Sequence, residues 1–452
     1  MRGHLEWLAV LIALAVFAGD AAKCEGADAK PPAPNGPAGP SAPAKGTTGD
    51  AFLDATAHLD GRDGRPLALE QFRPRSMLVV PEHRLRRAKF PAVDAHLHPG
   101  IRYHSSPALL DEYVRVMDAQ NIAVSVSLDG QMGDKLVEHR RFLWTKYRDR
   151  FVFLANIDWR GAGREDDPAS WDCNRPDFGH RMALGLAESK KQGASGLKIF
   201  KEFGLKYRNA DGSLVRVDDP RWDPIWAACG RLGLPVLIHV ADPKAFFLPI
   251  DANNERWEEL KRHPDWSFYG PGFPKQTELL AALDRVVGRH PKTTFIGAHV
   301  ASNAEDLGAV GRSLEAHPNL YIDLAARISE LGRQPYTARA FLIKFADRVL
   351  FGTDGPRAAE RLELHWRFLE TKDEYFPYAE YPFPPQGFWQ IYGVGLPDEV
   401  LKKIYSGNAA KIIPGVRERL AKFKPRTLLP PARDEVRRIG DDGRGPDEGA
   451  ER

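Results

Sequence analysis

The chain has 452 residues, 43% of them hydrophobic and 28% charged, which suits a soluble domain large enough to bury a full core without staples. Lys and Arg number 64 against 61 Asp and Glu, for a net charge of +3. That balance excludes binding to nucleic acid or to an anionic membrane by bulk charge.

The first 29 residues read as an export signal. Arg2 is followed by an apolar run from Trp7 to Ala18 and then by small residues, with cleavage expected between Ala21 and Ala29. The run is shorter than the ~20 residues of a membrane span. Cys24 invites a lipoprotein reading, but Lys23 stands where a small residue is expected; an uncleaved anchor is the other alternative. Residues 30–58 are rich in Pro, Ala and Gly and read as a linker. Residues 59–423 hold the structured domain, and 424–452 read as a disordered tail.

Short apolar runs predict strands at Ala92–His96, Ala123–Leu128, Phe151–Ile157, Gly196–Phe200, Pro235–Val240, Thr294–Ala298, Leu320–Leu324 and Val349–Gly352. Such continuous runs suit parallel strands buried on both faces. Between them, helical spacing predicts helices at Leu109–Gln120, Arg181–Gln192, Asp223–Leu232, Glu278–Arg289 and Ala338–Phe345. Alternation over eight units predicts an α/β fold, a (β/α)8 TIM barrel. An open doubly wound sheet is the rival, and no Gly-rich phosphate loop follows the first strand. Two long aromatic-rich connections, Ala241–Phe273 after strand five and Gly355–Leu396 after strand eight, are expected as loops at the barrel mouth. Cys173 and Cys229 either pair or stand as separate small residues.

Chemistry gathers at the strand ends. In Val93-Asp94-Ala95-His96-Leu97-His98 the two histidines share a strand face. Two imidazoles so spaced are natural metal ligands. His239 closes the fifth strand, His299 the sixth, and Asp354 the eighth. A lone buried histidine is usually a satisfied core residue, but packing alone does not set four such residues at one end of one barrel.

This set, in this order on strands one, five, six and eight, resembles the amidohydrolase superfamily. It is most similar to the amidohydrolase-related (amidohydrolase 2) branch, which includes aminocarboxymuconate-semialdehyde decarboxylase and resorcylate decarboxylases. Tyr405-Ser406-Gly407-Asn408-Ala409-Ala410 resembles the closing helix of that branch. The resemblance implies that His96, His98, His239 and Asp354 hold one divalent metal, most often zinc. It implies that His299 polarises substrate or carries protons without binding the metal, and that Asp354 shares in proton transfer. Lys198, ending strand four, matches the position of a carbamylated lysine that bridges two ions in two-metal members; in this branch it commonly lacks that role. The branch commonly forms dimers.

Zinc with one open position lowers the pKa of its water to ~7. The expected reaction is therefore hydrolysis of an amide, lactone or ester, with a small molecule as substrate and no nucleic acid. Non-oxidative decarboxylation is the alternative, and an inactive secreted scaffold barrel is the third reading. A substrate carboxylate wants a cation. Arg327, just past strand seven, is placed to supply one, and Arg160 and Arg357 are weaker candidates. Asp129, Asn156 and Asp158 stand where residues that orient substrate or histidines would stand. Trp159, Phe246, Phe247, Trp266 and Trp389 are read as pocket wall or plain packing.

Overall fold

The computed structural model describes residues 76–355, 359–379, 386–425 and 437–438. The chain divides into two units, Met1–Pro74 and Arg75–Arg452, and the described residues belong to the second. The signal, the linker, most of the tail, Cys24 and Arg357 lie outside them.

Eight strand positions follow one another: β1 (Ala92–Leu97), β2 (Ile122–Ser127), β3 (Phe151–Phe153, resumed at Ala155–Asn156), β4 (Leu197–Ile199), β5 (Val236–Ile238), β6 (Phe295–Gly297), β7 (Leu320–Asp323) and β8 (Val349–Leu350). Every neighbouring pair from β1 to β8 is parallel. They form a three-stranded and a six-stranded sheet that share β3. Leu154 N donates to Ser127 O of β2 at 2.8 Å, and Ala155 N donates to Gly196 O, beside β4, at 2.9 Å. At the other seam Ala95 N donates to Phe351 O at 3.0 Å, and Asp354 N to His96 O at 2.9 Å. The molecule is a (β/α)8 TIM barrel of short strands.

Among the described residues the longer helices that follow the strands are α1 (Pro107–Gln120), α2 (Asp134–Tyr147), α3 (Phe178–Lys191), α4 (Asp223–Leu232), α5 (Gln276–Arg289), α6 (Leu307–Ala316), α7 (Pro335–Lys344) and α8 (Ala359–Glu370). Local signals set their ends. Ser106 caps α1 with Pro107 in the first turn. Gly233 ends α4 in the left-handed region, with φ 65°. Alternation along each strand separates two cores. Val236, Ile238, Phe295 and Val349 pack with the helices. Leu237, Ile296 and Leu350 pack instead with Ala409, Ile413 and Val416 of the closing segment. Asn408 ties that segment to the barrel by donating to Ala346 O (2.8 Å) and Val349 O (2.6 Å).

The connection after β5 is long, as expected, and up to Lys275 holds one short α-helix, Trp257–Arg262, and two 3-10 turns, Lys244–Phe247 and Pro264–Trp266. The connection after β8 is not one loop: α8 occupies Ala359–Glu370, and the aromatic stretch follows that helix. Helices α2, α6 and α8 had no sequence assignment. Only Leu136, His139 and Leu143 are buried in α2, so its periodicity is thin, and α6 carries two glycines. Pro81–Glu82 pairs antiparallel with Arg437–Arg438. Cys173 and Cys229 are separate buried thiols. Among the described residues no helix is long and apolar enough to cross a membrane.

Candidate metal centre

The β1 and β8 ends meet at the seam, and this brings His96, His98 and Asp354 together. One donor atom from each lies within 4.8 Å of the others. His98 Nε2 stands 3.7 Å from Asp354 Oδ1. Each histidine is held from behind. His96 Nδ1 lies 2.9 Å from Asp323 Oδ2, and His98 Nδ1 lies 2.6 Å from Asp129 Oδ1. Asp129 also accepts Gly100 N at 2.9 Å. A carboxylate on Nδ1 fixes the tautomer that leaves the Nε2 lone pair for a metal.

Burial pushes His96 well below its usual range, with Lys198 adding to the effect. Burial does the same to His299, helped by His239 and His96. Neutral imidazoles are the form that donates to a metal. Burial works against ionisation of Asp354, but His96, Arg102, His98 and Lys198 outweigh it and hold the carboxyl well below its usual range. Arg102 donates to both the carbonyl and Oδ1 of Asp354. The Asp354 backbone has φ 63°, and Gly355 follows at φ 79°.

His239 is placed differently. Its Nε2 lies 3.0 Å from Ala241 O and 3.5 Å from Asp242 Oδ1, and it is not in the three-residue cluster. Its ring faces His299, with centres 4.4 Å apart. His299 in turn lies 4.6 Å from the His96 ring and groups with His96 and Asp323. Its Nδ1 meets Ala325 O at 2.8 Å. The four histidines thus form one continuous array, although only two of them share donors with Asp354.

Lys198 is buried on β4 with its Nζ 5.3 Å from the Phe200 ring centre. Burial brings its ammonium down to about 8, against the pull of Asp323 and Asp354. Arg327 is buried beyond β7 and donates to Ala326 O. Burial and the nearby Arg256 lower its pKa, while Asp242, Glu305 and Asp354 oppose them. Among the described residues no carboxylate forms an ion pair with it. Arg256, by contrast, pairs with Glu330 and Glu259.

Other expected residues serve the scaffold. Asn156 bridges Gln131 N and Leu128 O. Asp158 caps the turn at Arg160 and Gly161. Arg160 pairs with Glu165. Trp159 stacks on Phe203 in the core, with centres 4.1 Å apart. Trp266 stacks on His263. Phe246 is buried beneath Arg256, Phe247 packs on Phe268, and Trp389 packs on Tyr378 and Arg333. The sequence reading missed Asp323, Asp94 and Asp242. Each is a buried acid within three residues of a strand-end histidine or closing a strand itself, and that placement was the available signal.

The family model described as Amidohydrolase matches residues 93–415, more than two thirds of the chain. No curated protein matches. Among solved structures, a TIM-barrel protein of Bordetella bronchiseptica is 18% identical, covering 73% of this chain and 99% of its own, with a TM-score of 0.43. An amidohydrolase of Burkholderia multivorans with bound zinc is 15% identical over 72% and 99%, at 0.42. A 2,6-dihydroxybenzoate decarboxylase bound to 2,6-dihydroxybenzoate is 16% identical over 72% and 99%, at 0.40. The matched span runs from β1 through the closing helix and contains every histidine and carboxylate of the site, so the chain belongs to the amidohydrolase family.

Proposed function

We propose that this protein is a metal-dependent hydrolase acting on an amide, lactone or ester of a small molecule, with one divalent ion, Zn2+, held by His96, His98, His239 and Asp354. The observation that carries the reading is the paired support of His96 and His98. A buried carboxylate stands on Nδ1 of each, so both Nε2 atoms are left to ligate beside Asp354. Nitrogen and carboxylate donors in this number suit zinc. For His239 to join them, its ring must exchange the Ala241 carbonyl for the ion.

Bound there, the ion supplies a Lewis acid and an acidified water. The chain's own residues do the rest. Asp354, kept ionised by its neighbours, accepts a proton. His299, neutral and fixed through Nδ1, presents its other nitrogen to the reacting group. Arg327 orients a carboxylate on the substrate. Lys198 stays an amine in the one-ion site; two ions per chain would make it a bridge instead.

The test is elemental analysis of the purified protein, paired with a screen of lactones, amides and aromatic carboxylic acids that records product and CO2. About one zinc per chain with water-dependent cleavage supports the hydrolase. Release of CO2 replaces it with a carboxy-lyase at the same site. No metal and no turnover in folded protein leaves an inert scaffold. We also propose export through the N-terminal signal, tested by fractionation and N-terminal sequencing, and a homodimer, tested by sedimentation.

A further inference from the structure

One carboxylate reaches two functional histidines at once. Asp323, fully buried at the end of β7, uses Oδ2 for His96 Nδ1 at 2.9 Å. Its Oδ1 accepts His299 N at 2.9 Å and Ala325 N at 3.1 Å. Ala325 is the residue whose carbonyl takes the His299 ring. Asp323 therefore fixes His299 twice, by its backbone and, through Ala325, by its imidazole.

The backbone it holds is unfavourable by itself. His299, Val300, Ala301 and Ser302 have φ of 57°, 58°, 52° and 60°. L-residues avoid this left-handed region, and a β-branched valine avoids it most. A run of four persists only if its surroundings impose it. Besides Asp323, Gln276 Nε2 donates to Ser302 O at 3.3 Å. Gly297 gives the turn room, since a Cβ there would stand 2.8 Å from Ala301 Cβ.

We propose that Asp323 is a positioning residue that sets His96 and His299 together, tying the tautomer of the metal-facing imidazole to the strained turn that presents the proton-carrying one. The metal arm of this inference rests on the proposed function, whereas the histidine arm does not. An acceptor at Oδ2 keeps the proton of His96 on Nδ1. In the Asp323→Asn variant the amide oxygen stays with the two backbone N–H groups, but as a neutral acceptor it holds them more weakly than the carboxylate does, so the His299 turn loosens, and the NH2 faces His96 Nδ1. That nitrogen must then accept, which moves the ring proton to Nε2 and blocks ligation.

The test compares wild type, Asp323→Asn and Gly297→Ala by 15N signals of the histidine rings and by metal affinity in chelator competition. Asp323→Asn preserves volume, and a near-native circular dichroism spectrum checks its fold. It should move the His96 and His299 ring signals together and weaken metal binding about 10- to 100-fold. Gly297→Ala, which leaves the carboxylate in place, should move the His299 signal alone and leave metal affinity at the wild-type level. The inference is overturned if Asp323→Asn leaves either ring signal in place, or leaves metal affinity unchanged in a protein whose wild type binds metal. If the wild type holds no metal, the proposed function fails by itself, and the two ring signals alone decide the role of Asp323.

Discussion

Asp94 accepts both the amide nitrogen of Thr353 at 3.0 Å and its hydroxyl at 2.6 Å, clasping β1 to the residue that precedes Asp354. The clasp lies under the seam where the barrel closes. Burial pushes the Asp94 carboxyl up to about 7, even with Thr353 donating to it. Thr353→Val is nearly isosteric but removes the hydroxyl from a buried acceptor. It should cost about 1–3 kcal/mol of stability in urea unfolding. An unchanged midpoint would mean that the clasp does not hold the seam.

Removing a donor should empty the metal centre, because three donors converge at the β1 and β8 ends. His96→Ala and Asp354→Ala are each expected to lower bound metal strongly in elemental analysis. His299→Ala is expected to retain the metal and lose turnover, since His299 lies outside the donor cluster of His96, His98 and Asp354. Full metal content in both ligand variants removes the site. Metal loss with His299→Ala makes His299 a ligand.

The strand ends were legible because burial on both faces makes each strand an apolar run that stops where a polar residue appears. His239 and His299 are such stops, while His96 lies inside β1 and Asp354 four residues past the end of β8. Helices α2 and α8 were not legible for a related reason: their charged residues blur the apolar stripe, and α8 sits inside an aromatic-rich stretch that reads as loop. Asp323 escaped notice because it closes its strand with no histidine adjacent in sequence. Its partners lie 227 and 24 residues away along the chain and are joined to it only by the barrel. The ring orientation of His239 was equally hidden, since it depends on the Ala241 carbonyl beyond the strand end.

His365 on α8 should give the protein a measurable acid sensitivity. It is buried against Phe351 and donates through Nδ1 to Arg361 O at 2.9 Å. Burial lowers its pKa from 6.5 to about 4, with the Arg361 bond opposing. The folded state thus keeps the ring neutral where the unfolded chain would protonate it. Its contribution is fully present above pH 6.5 and is lost as pH falls through 4, about 3 kcal/mol at most. His365→Gln should flatten the stability profile between pH 6.5 and 4 relative to wild type. Parallel profiles would place the acid sensitivity elsewhere.

Arg327 invites a test that needs no substrate. Its guanidinium is buried, donates to Ala326 O, and forms no ion pair among the described residues, while the neighbouring Arg256 is neutralised by Glu330 and Glu259. A buried arginine kept for structure is paired, and removing it leaves its partner stranded, at a cost of about 3–5 kcal/mol. A buried arginine kept for a ligand is a charge the empty fold carries at a loss. Arg327→Met should therefore leave stability unchanged or raise it, while leaving metal content intact. With a carboxylate-bearing substrate, the same variant should lose about tenfold to a hundredfold in kcat/KM, chiefly through KM, the scale of a charge-assisted hydrogen bond. Marked destabilisation in urea would assign Arg327 to the scaffold and remove the argument for a carboxylate on the substrate.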